Sequence, residues 1–262
     1  MRVFDFDHAI VREPGRSVVN GLRSDPLSVP DFEPLRAEHA AYVAALGRAG
    51  LAVEILPPLE AYPDSMFVED PALVMPEGAI LLRPGAPSRV GEVAEMRETL
   101  HGRFEIVLEL QGDENADGGD ILVTPHAIFI GMSARTNRAG AEALVAILRG
   151  MGRNACVVKT PPPILHFKTA VSLLSEDTVL ATRQMATSGL FAEFRTLVVP
   201  DGEEAAANAL RVNHAVLIGD GFPRTRELLD CEGFNVETLP VAEIGKLDAG
   251  LSCMSLRWRK RG

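Results

Sequence analysis

Short apolar runs alternate with longer amphipathic stretches along the whole chain. The runs are rich in Val, Ile, Leu or Phe and are bounded by Gly, Pro, Asp or Asn, which is typical of strands. The predicted strands are Arg2–Val11, Ala52–Leu56, Ala72–Met75, Ala79–Arg83, Phe104–Leu110, Asp120–Val123, His126–Gly131, Ala155–Val158, Ala170–Leu174, Thr178–Ala181, Thr196–Val199, Ala215–Ile218, Asn235–Leu239 and Cys253–Trp258. The spacing of apolar residues predicts helices over Phe32–Ala49, Val90–Leu100, Arg138–Met151, Thr187–Phe194 and Thr225–Cys231.

The order of these elements predicts a repeated unit of strand, strand, helix and strand. Strands tend to come in close pairs joined by a tight turn, as around Thr124 and Pro125, and helices recur about every 50 residues. The sequences of the units do not visibly match. Repeats of this length are typical of closed or radial arrangements. Because no linker or low-complexity segment divides the chain, we expect an α/β fold in a single domain covering residues 1–262.

Composition narrows the choice of partners and compartment. Apolar residues make up 47% of the 262 residues, enough for a substantial core, and the formal net charge is -10. Acidic charge argues against a nucleic-acid partner but suits a cationic small substrate. The N-terminal segment is acidic where a signal peptide is apolar, and no apolar run is as long as a membrane span. The three cysteines suggest no disulfide framework, so we expect a reduced, cytoplasmic protein without a membrane partner.

Three distant residues are candidates for covalent catalysis. Cys253 lies in Leu-Ser-Cys-Met, His166 follows a run of prolines, and Asp117 opens the segment Asp-Gly-Gly-Asp. A thiol nucleophile needs a base and a carboxylate that orients the base, and these groups can meet in a fold. Each residue also has an ordinary interpretation. A lone cysteine is more often a small buried hydrophobe, a histidine among apolar neighbours is more often structural, and Asp-Gly is a common turn.

Other charged residues suggest a site for a guanidinium and a carboxylate. Asp64, Glu69 and Asp70 lie close together in the sequence; by default they are solvated loop charges, but carboxylates are also the preferred partners of a guanidinium. Glu69 and Asp70 would point to opposite faces of a strand. Arg89 and Arg135 follow strands in loops of small residues, where an arginine can grip a carboxylate, although each alone is more often a surface residue. Metal-ligand spacings and a glycine-rich phosphate loop are absent from the sequence, so we expect no metal and no organic cofactor.

Eight stretches, taken together, resemble the dimethylarginine dimethylaminohydrolases (dimethylargininases) of the guanidino-group-modifying superfamily. They span nearly the whole chain: Arg-Ser-Val-Val-Asn-Gly-Leu (16–22), Pro-Asp-Ser-Met-Phe-Val-Glu-Asp-Pro (63–71), Leu-Arg-Pro-Gly-Ala-Pro-Ser-Arg (82–89), Ala-Asp-Gly-Gly-Asp (116–120), Gly-Met-Ser-Ala-Arg-Thr-Asn (131–137), Leu-His-Phe-Lys-Thr (165–169), Ala-Ala-Asn (206–208) and Leu-Ser-Cys-Met-Ser-Leu (251–256). Each stretch is weak alone, but eight in register are a strong signal. One departure is Asp117, where some bacterial members carry Glu.

The resemblance implies a five-bladed α/β propeller (pentein) and a hydrolase acting on the C–N bonds of linear amidines. The implied reaction converts an Nω-methylated L-arginine, such as asymmetric dimethylarginine or monomethylarginine, to L-citrulline and a methylamine. Cys253 attacks and forms a covalent S-alkylthiouronium, while His166, oriented by Asp117, moves the protons. The residues implied to bind the substrate are Leu22, Asp64, Phe67, Glu69, Asp70, Arg89, Arg135 and Leu247.

Within that set the resemblance implies a division of labour. Glu69 and Asp70 grip the guanidinium, and Arg89 and Arg135 hold the α-carboxylate. Asp64 and the backbone carbonyls of residues 22 and 247 hold the α-amino group. No metal or cofactor takes part. The sequence is compatible with a homodimer but does not specify the oligomeric state.

Three alternatives stay open at the level of sequence. A related guanidino hydrolase or deiminase acting on arginine or another guanidino compound would share the guanidinium-binding residues. A non-catalytic binding module for cationic amino acids would make Cys253 incidental. A metal-dependent hydrolase built on the acidic segments would lose its activity with chelators.

Overall fold

The computed structural model describes residues 2–260. Within this range fifteen strands form five sheets of three strands each. The strands are β1 (His8–Arg12), β2 (Ala52–Leu56), β3 (Ala72–Met75), β4 (Gly78–Leu81), β5 (Val107–Glu109), β6 (Ile121–Val123), β7 (Ile128–Met132), β8 (Ala155–Lys159), β9 (Val171–Leu173), β10 (Thr178–Ala181), β11 (Arg195–Val198), β12 (Leu210–Val212), β13 (Ala215–Gly219), β14 (Asn235–Leu239) and β15 (Leu256–Trp258).

One connection pattern recurs in the sheets. The second strand pairs antiparallel with the first and parallel with the third, as in β3, β4 and β5. Parallel neighbours need a crossover, which a helix supplies in each blade. The crossover helices are α1 (Phe32–Arg48), α2 (Glu92–His101), α3 (Arg138–Gly150), α4 (Arg183–Ala186) and α5 (Pro223–Cys231). The strand-strand-helix-strand unit predicted from the sequence is confirmed.

The first sheet closes the ring, because β15 pairs antiparallel with β1 while β1 pairs parallel with β2. The first strands of neighbouring sheets also contact one another: β15 contacts β3, and β9 contacts both β6 and β12. The predicted five-bladed α/β propeller is therefore confirmed. The middle strands β4, β10 and β13 are buried along their whole length, which is why they appear in the sequence as continuous apolar runs.

The helix predicted over Thr187–Phe194 is wrong. The helix in this region is α4, which begins after Thr182, whose side chain accepts a hydrogen bond from the backbone N–H of Met185. The helix ends before Gly189, which has a φ of 78° in the left-handed region. The apolar residues that suggested a helix farther along belong to turns and bury their aromatic rings in the core.

Several strand bounds also needed correction, and one strand was missed; the last strand, for example, begins at Leu256 rather than at Cys253. The first strand begins at His8 rather than Arg2, because the backbone of Phe6 is held by the side chain of Asn213 and not by a neighbouring strand. Strand β12 was not predicted, since its three residues are too few to show an alternating pattern. Among residues 2–260 no helix combines the length and the apolar character that a membrane span requires.

Candidate active site

The loops that precede the innermost strand of each blade carry the candidate chemistry. Asp70 precedes β3, Asp117 begins the turn before β6, and His166 begins the turn before β9. Asn208 precedes β12, and Cys253 lies in a 3-10 turn before β15. Because these strands surround one axis, residues separated by more than a hundred positions meet at one end of it.

The candidate base and its carboxylate are in direct contact. His166 Nε2 lies 2.9 Å from Asp117 Oδ2, and Asp117 is fully buried. The other carboxylate oxygen accepts a hydrogen bond from the backbone N–H of Gly85 at 2.7 Å, which fixes the orientation of Asp117. Burial alone would favour a neutral imidazole, but Asp70 and the Asp117 hydrogen bond raise the pKa of His166 to about 9. His166 is therefore protonated at neutral pH.

The two glycines of Asp-Gly-Gly-Asp allow this close packing. A Cβ on Gly118 would lie 1.9 Å from the backbone oxygen of Glu69, and a Cβ on Gly119 would lie 2.9 Å from Cγ of His166. A side chain at Gly118 would collide with the backbone of Glu69, and one at Gly119 would push the turn away from the imidazole. The N–H of Gly119 also donates to Asp70 Oδ1 at 2.9 Å.

Asp120 anchors the far end of the same turn. Its carboxylate accepts hydrogen bonds from the hydroxyls of Ser133 and Thr136 at 2.6 and 2.7 Å and from the backbone N–H of Phe167 at 2.8 Å. Burial raises the pKa of Asp120 to about 6. Because Phe167 follows His166, Asp120 helps to set the position of the imidazole from behind the site.

Asp70 and Arg89 form a buried ion pair beside the imidazole. The guanidinium of Arg89 donates to Asp70, to both oxygens of Glu92 and to the backbone carbonyls of Asp64 and Phe67. Burial opposes ionisation of Asp70, but the charges of Arg89 and His166 and the Gly119 hydrogen bond lower its pKa to about 2. Asp70 is therefore a carboxylate at neutral pH, and the default interpretation of these acids as solvated loop charges is wrong.

A cavity of about 210 Å³ lies in front of these groups. The residues predicted from the sequence that line this cavity are Leu22, Asp64, Phe67, Asp70, Arg89, Arg135, His166, Leu247 and Cys253. Asp117 does not line the cavity itself but contacts His166, which does. The sulfur and the imidazole thus share one cavity, as covalent catalysis requires. The other lining residues are Arg23, Ser24, Leu165, Asp248 and Ala249. Of these, the sequence had assigned no role to Arg23, Ser24, Leu165 and Ala249.

Backbone contacts hold Cys253 at this cavity. Its N–H donates to Gly250 O at 3.3 Å, and its carbonyl accepts from the N–H of Glu69 at 3.2 Å. Asn208 Oδ1 accepts from the N–H of Ser252 at 3.1 Å, a role that the Ala-Ala-Asn stretch alone did not reveal. Burial and the charge of Glu69 raise the pKa of Cys253 to about 12, so the resting group is a thiol.

The structure does not bring Glu69 into this cavity. Lys168 Nζ lies 2.6 Å from Glu69 Oε1, Arg257 donates to the same oxygen at 3.2 Å, and the hydroxyl of Ser252 donates to Oε2 at 3.1 Å. Glu69 lines a different cavity from Asp70, although the two residues are consecutive. The expectation that both carboxylates grip one guanidinium is not supported by this placement.

Hydrogen bonds hold the loop that carries Leu22 at two residues, Leu22 itself and Ser24. Asp64 Oδ1 accepts from the N–H of Leu22 at 2.9 Å. Asp248 accepts from the backbone N–H and the hydroxyl of Ser24, at 2.5 and 2.8 Å. Leu22 itself remains 38% exposed at the cavity. The loop therefore forms part of the rim of the site.

Asp70, Asp117 and His166 each offer a ligand atom, and these atoms lie within 4.8 Å of one another. Such a group can hold a metal ion, which the spacing of these residues in the sequence did not indicate. His166 Nε2 already contacts Asp117, so a metal bound there would replace this hydrogen bond.

The fold and the family comparison define the class as a propeller of the arginine deiminase type, since a family model described as arginine deiminase matches residues 44–216. The N(G),N(G)-dimethylarginine dimethylaminohydrolase of Pseudomonas aeruginosa is 39% identical over 97% of this chain and 100% of its own length. The enzyme of the same name from Streptomyces coelicolor is 32% identical over 96% of this chain and 97% of its own length. The chain belongs to the dimethylarginine dimethylaminohydrolase family.

Solved structures agree with this assignment. A cysteine-to-serine mutant of the Pseudomonas aeruginosa protein, complexed with citrulline, matches with a TM-score of 0.94 at 38% identity, covering 97% of this chain and 100% of that one. A histidine-to-glycine dimethylarginine dimethylaminohydrolase, as an adduct with S-methyl-L-thiocitrulline, matches with a TM-score of 0.93 at 38% identity, covering 96% and 99%. The N-terminal domain of ArgZ, a cyanobacterial arginine dihydrolase, has a TM-score of 0.86 at 17% identity over 97% and 98% of the chains and so shares the fold alone.

Proposed function

We propose that this chain hydrolyses Nω-methylated L-arginine to L-citrulline and a methylamine. The observation that carries the proposal is the single cavity lined by Cys253, His166 and Asp70. A thiol, an imidazolium and an ionised carboxylate around one cavity suit attack on a cationic carbon. Relatives named as dimethylarginine dimethylaminohydrolases, and the complex of one of them with citrulline, support this substrate class.

Binding of the guanidinium activates the nucleophile in this mechanism. Asp70 is ionised and accepts hydrogen bonds from the guanidinium nitrogens, while Phe67 lines the same cavity. The bound cation lies beside the sulfur of Cys253 and favours loss of the thiol proton to solvent. Holding the flat cation against the sulfur lowers the activation free energy by several kcal/mol, which lies within the ~7–11 kcal/mol that proximity can supply. The negative charge of Glu69, which lies outside this cavity, disfavours the thiolate until the cation is bound.

The chemical steps then need only Cys253, His166 and water. The thiolate attacks the central carbon and forms a C–S bond, and the imidazolium of His166 gives its proton to the departing amine as the C–N bond breaks. A covalent S-alkylthiouronium remains on Cys253. The neutral imidazole takes a proton from water, whose oxygen attacks the same carbon. The C–S bond breaks, the remaining hydroxyl proton passes to the departing sulfur, which restores the resting thiol, and citrulline is released.

The remaining predicted residues hold the α-carbon end of the substrate. Arg135 is the principal carboxylate ligand, because its nearest carboxylate contact is Asp117 at 3.9 Å, whereas Arg89 is occupied by protein acceptors. We assign Arg89 mainly to the orientation of Asp70. Asp64, together with the backbone carbonyls of Leu22 and Leu247, receives the α-amino group.

Residues 1–262 act as one catalytic domain in this proposal, since all five blades contribute a loop to the site. The assembly is proposed to be a homodimer. Sedimentation velocity at two protein concentrations tests the assembly independently of activity, and a monomer at both concentrations would contradict it.

A side-by-side assay tests the substrate. Citrulline formation is measured from asymmetric dimethylarginine, monomethylarginine and arginine at equal concentrations. We expect the methylated compounds to turn over and arginine to be a poor substrate. Turnover of arginine alone would replace this proposal by a deiminase reaction.

Cys253→Ser tests whether the chain is an enzyme or a binding module. We expect turnover to fall by at least about a thousandfold while citrulline binding, measured by calorimetry, stays within a few-fold of wild type. Full activity in this variant would exclude covalent catalysis.

Treatment with a chelator tests the metal-dependent alternative. We expect unchanged activity, because the mechanism uses no metal at Asp70, Asp117 and His166. A loss of activity that a divalent metal restores would favour the metal-dependent alternative.

A further inference from the structure

Glu92 is a buried carboxylate that the proposed reaction does not use. It is the first residue of α2 and is 2% exposed. It does not line the cavity that Asp70, Arg89 and Cys253 share, so a substrate in that cavity would not contact it. A buried charge is costly unless a partner compensates it. The partner of Glu92 is Arg89, which is itself buried.

The carboxylate of Glu92 holds the guanidinium of Arg89 in one orientation. Arg89 Nε donates to the two oxygens of Glu92, at 3.0 and 3.2 Å, and Nη2 donates to Oε2 at 2.8 Å. Nη2 also donates to the backbone carbonyls of Asp64 and Phe67, at 3.3 and 2.9 Å. Because a guanidinium is planar, these contacts fix its direction, and the remaining nitrogen, Nη1, donates to Asp70.

The local sequence brings Glu92 to this position. Arg89 ends a 3-10 turn, and Glu92 begins α2 three residues later, where the helix dipole favours an acid. A Cβ on Gly91, which lies between them, would be 2.2 Å from the hydroxyl of Tyr62. Glycine therefore allows the start of α2 to pack closely on the segment that leads to Asp70.

The charges of Glu92, Arg89 and Asp70 determine what a cationic ligand meets at the cavity. Asp70 and Arg89 alone would form a neutral pair, which attracts a cation weakly. With Glu92, one cation is shared by two carboxylates, and the group has a net charge of -1. Arg12, another buried arginine, donates to the carbonyl of Pro57 and has no ion pair among the described residues, so it does not replace Arg89 as the partner of Glu92.

We propose that Glu92 is a positioning residue that neutralises Arg89 from outside the cavity, so that Asp70 presents its negative charge to the guanidinium of the substrate. Glu92 acts through Arg89 and Asp70 and does not touch the substrate. The role depends on the proposed function, since it requires a ligand that carries a guanidinium group.

Two ligands of similar shape separate this role from a structural one. Monomethylarginine has a cationic guanidinium, citrulline has a neutral ureido group, and the two compounds share the same α-carbon end. The affinity for monomethylarginine relative to citrulline therefore reports the charge at Asp70, whereas a general loosening of the site weakens both. Calorimetry on Cys253→Ser protein measures both affinities without turnover. The titrations are made at pH 8, because burial raises the pKa of Glu92 to about 7.

Glu92→Gln keeps the size of the side chain and removes its charge. We expect the relative affinity for monomethylarginine to fall about tenfold, because Asp70 and Arg89 are left as a neutral pair. Glu98→Gln is the matched control, since Glu98 is an exposed residue of α2 that has no ion pair among the described residues. Equal relative affinities in the two variants would show that Glu92 only supports the fold.

A double variant, Arg89→Gln with Glu92→Gln, keeps the test decisive if Glu92→Gln alone does not fold. One positive and one negative charge are lost together, and a neutral pair of similar size replaces the ion pair. Asp70 keeps its charge, so we expect the relative affinity for monomethylarginine to stay within about threefold of the starting protein or to rise. A fall of about tenfold in the double variant would overturn the proposal. Binding of neither ligand by Cys253→Ser protein would contradict the proposed function itself and, with it, the role of Glu92.

Discussion

At the scale of single residues, the proposed role of His166 as proton donor depends on negative charge held in a dry environment. Asp117 is fully buried, and its carboxylate accepts hydrogen bonds from the backbone N–H of Gly85 and from the ring of His166. Its charge therefore acts on the imidazole without screening by solvent. Asp70 adds a second carboxylate beside the same ring. A proton donor with a pKa near 9 remains charged until a leaving amine takes the proton, which is the requirement of the first chemical step.

Replacement of Asp117 by Asn tests this dependence. The amide keeps a hydrogen-bonding group but removes the charge, so we expect kcat to fall by about 10²–10⁴ and the His166 pKa in the pH–rate profile to move below 9. Asp117→Glu is the matched control, because it keeps the charge and differs by one methylene group. We expect it to retain activity within about tenfold of wild type. Equal losses in the two variants would show that packing, and not charge, is what Asp117 supplies.

The resting state of Cys253 gives a second prediction at this scale. Because burial and Glu69 hold its pKa near 12, very little thiolate exists in the free protein at neutral pH. We expect alkylation of Cys253 by iodoacetamide at pH 8 to be at least about 100-fold slower than that of a free cysteine, and its rate to rise with pH without levelling off below pH 10. Exposed Cys231 is the internal comparator, with both sites quantified by peptide mass spectrometry. A rate that reaches a plateau below pH 9 would contradict a resting thiol.

Sequence patterns indicated which residues meet at the candidate site better than they indicated the contacts of those residues. Cys253, His166 and Asp117 were predicted to meet because the eight stretches fix their order along the chain. The direction of Glu69 was not predictable, since it is set by Lys168 and Arg257, which lie about 100 and 190 positions away.

At the scale of elements, the Asp-Gly-Gly-Asp turn joins two loops from different blades. Its first glycine packs on the backbone of Glu69 and its second on the ring of His166. The turn thus sets the distance between the loop that carries Glu69 and Asp70 and the imidazole of His166. This requirement explains two adjacent glycines at a position where neither has a positive φ.

Gly118→Ala tests the turn. The added methyl would overlap the oxygen of Glu69, so the backbone must shift, and we expect destabilisation by about 3 kcal/mol or more together with loss of activity. Gly47→Ala is the contrasting variant: Gly47 lies in α1, and no neighbouring atom comes within 4 Å of the place that an alanine methyl would occupy, so alanine should stabilise the protein by about 0.5–1 kcal/mol. Urea unfolding measures both. Similar stability in the two variants would mean that the turn can relax without cost.

Elements with a strong local signal were predicted well, and short ones were not. Helix α3 matches its prediction to within one residue because its apolar face is periodic and Asn137 caps it by accepting from Gly140. Helix α4 has four residues and β12 has three, and neither is long enough for a period to be visible. Their positions are fixed by the blades that they pack against.

At the scale of the whole molecule, closure of the ring by β15 and β1 forces ionisable groups into a common interior. The same burial that prepares His166 and Asp70 for chemistry makes the stability of the fold depend on pH. The pKa of Asp70 is lowered to about 2 in the folded protein, so its carboxylate stabilises the fold at any pH above the pKa of the unfolded chain. This contribution is lost only as the pH falls toward 2. His166 acts in the opposite sense, because its pKa in the folded protein is raised.

The contribution of His166 to stability is fully present below the unfolded pKa of 6.5 and is lost as the pH rises through about 9. The difference corresponds to about 2–3 kcal/mol between pH 6.5 and pH 9. We therefore compare the protein that has His166 with His166→Asn by urea unfolding. As the pH rises from 6.5 to 9, the free energy of unfolding should fall more in the protein that has His166, by the amount just given. Both proteins should carry Cys253→Ser, since ionisation of that thiol in the unfolded chain lowers stability over the same range. Parallel pH dependences in the two proteins would show that the imidazole is not held as a buried cation, and the assignment of His166 as the proton donor would then lose its electrostatic basis.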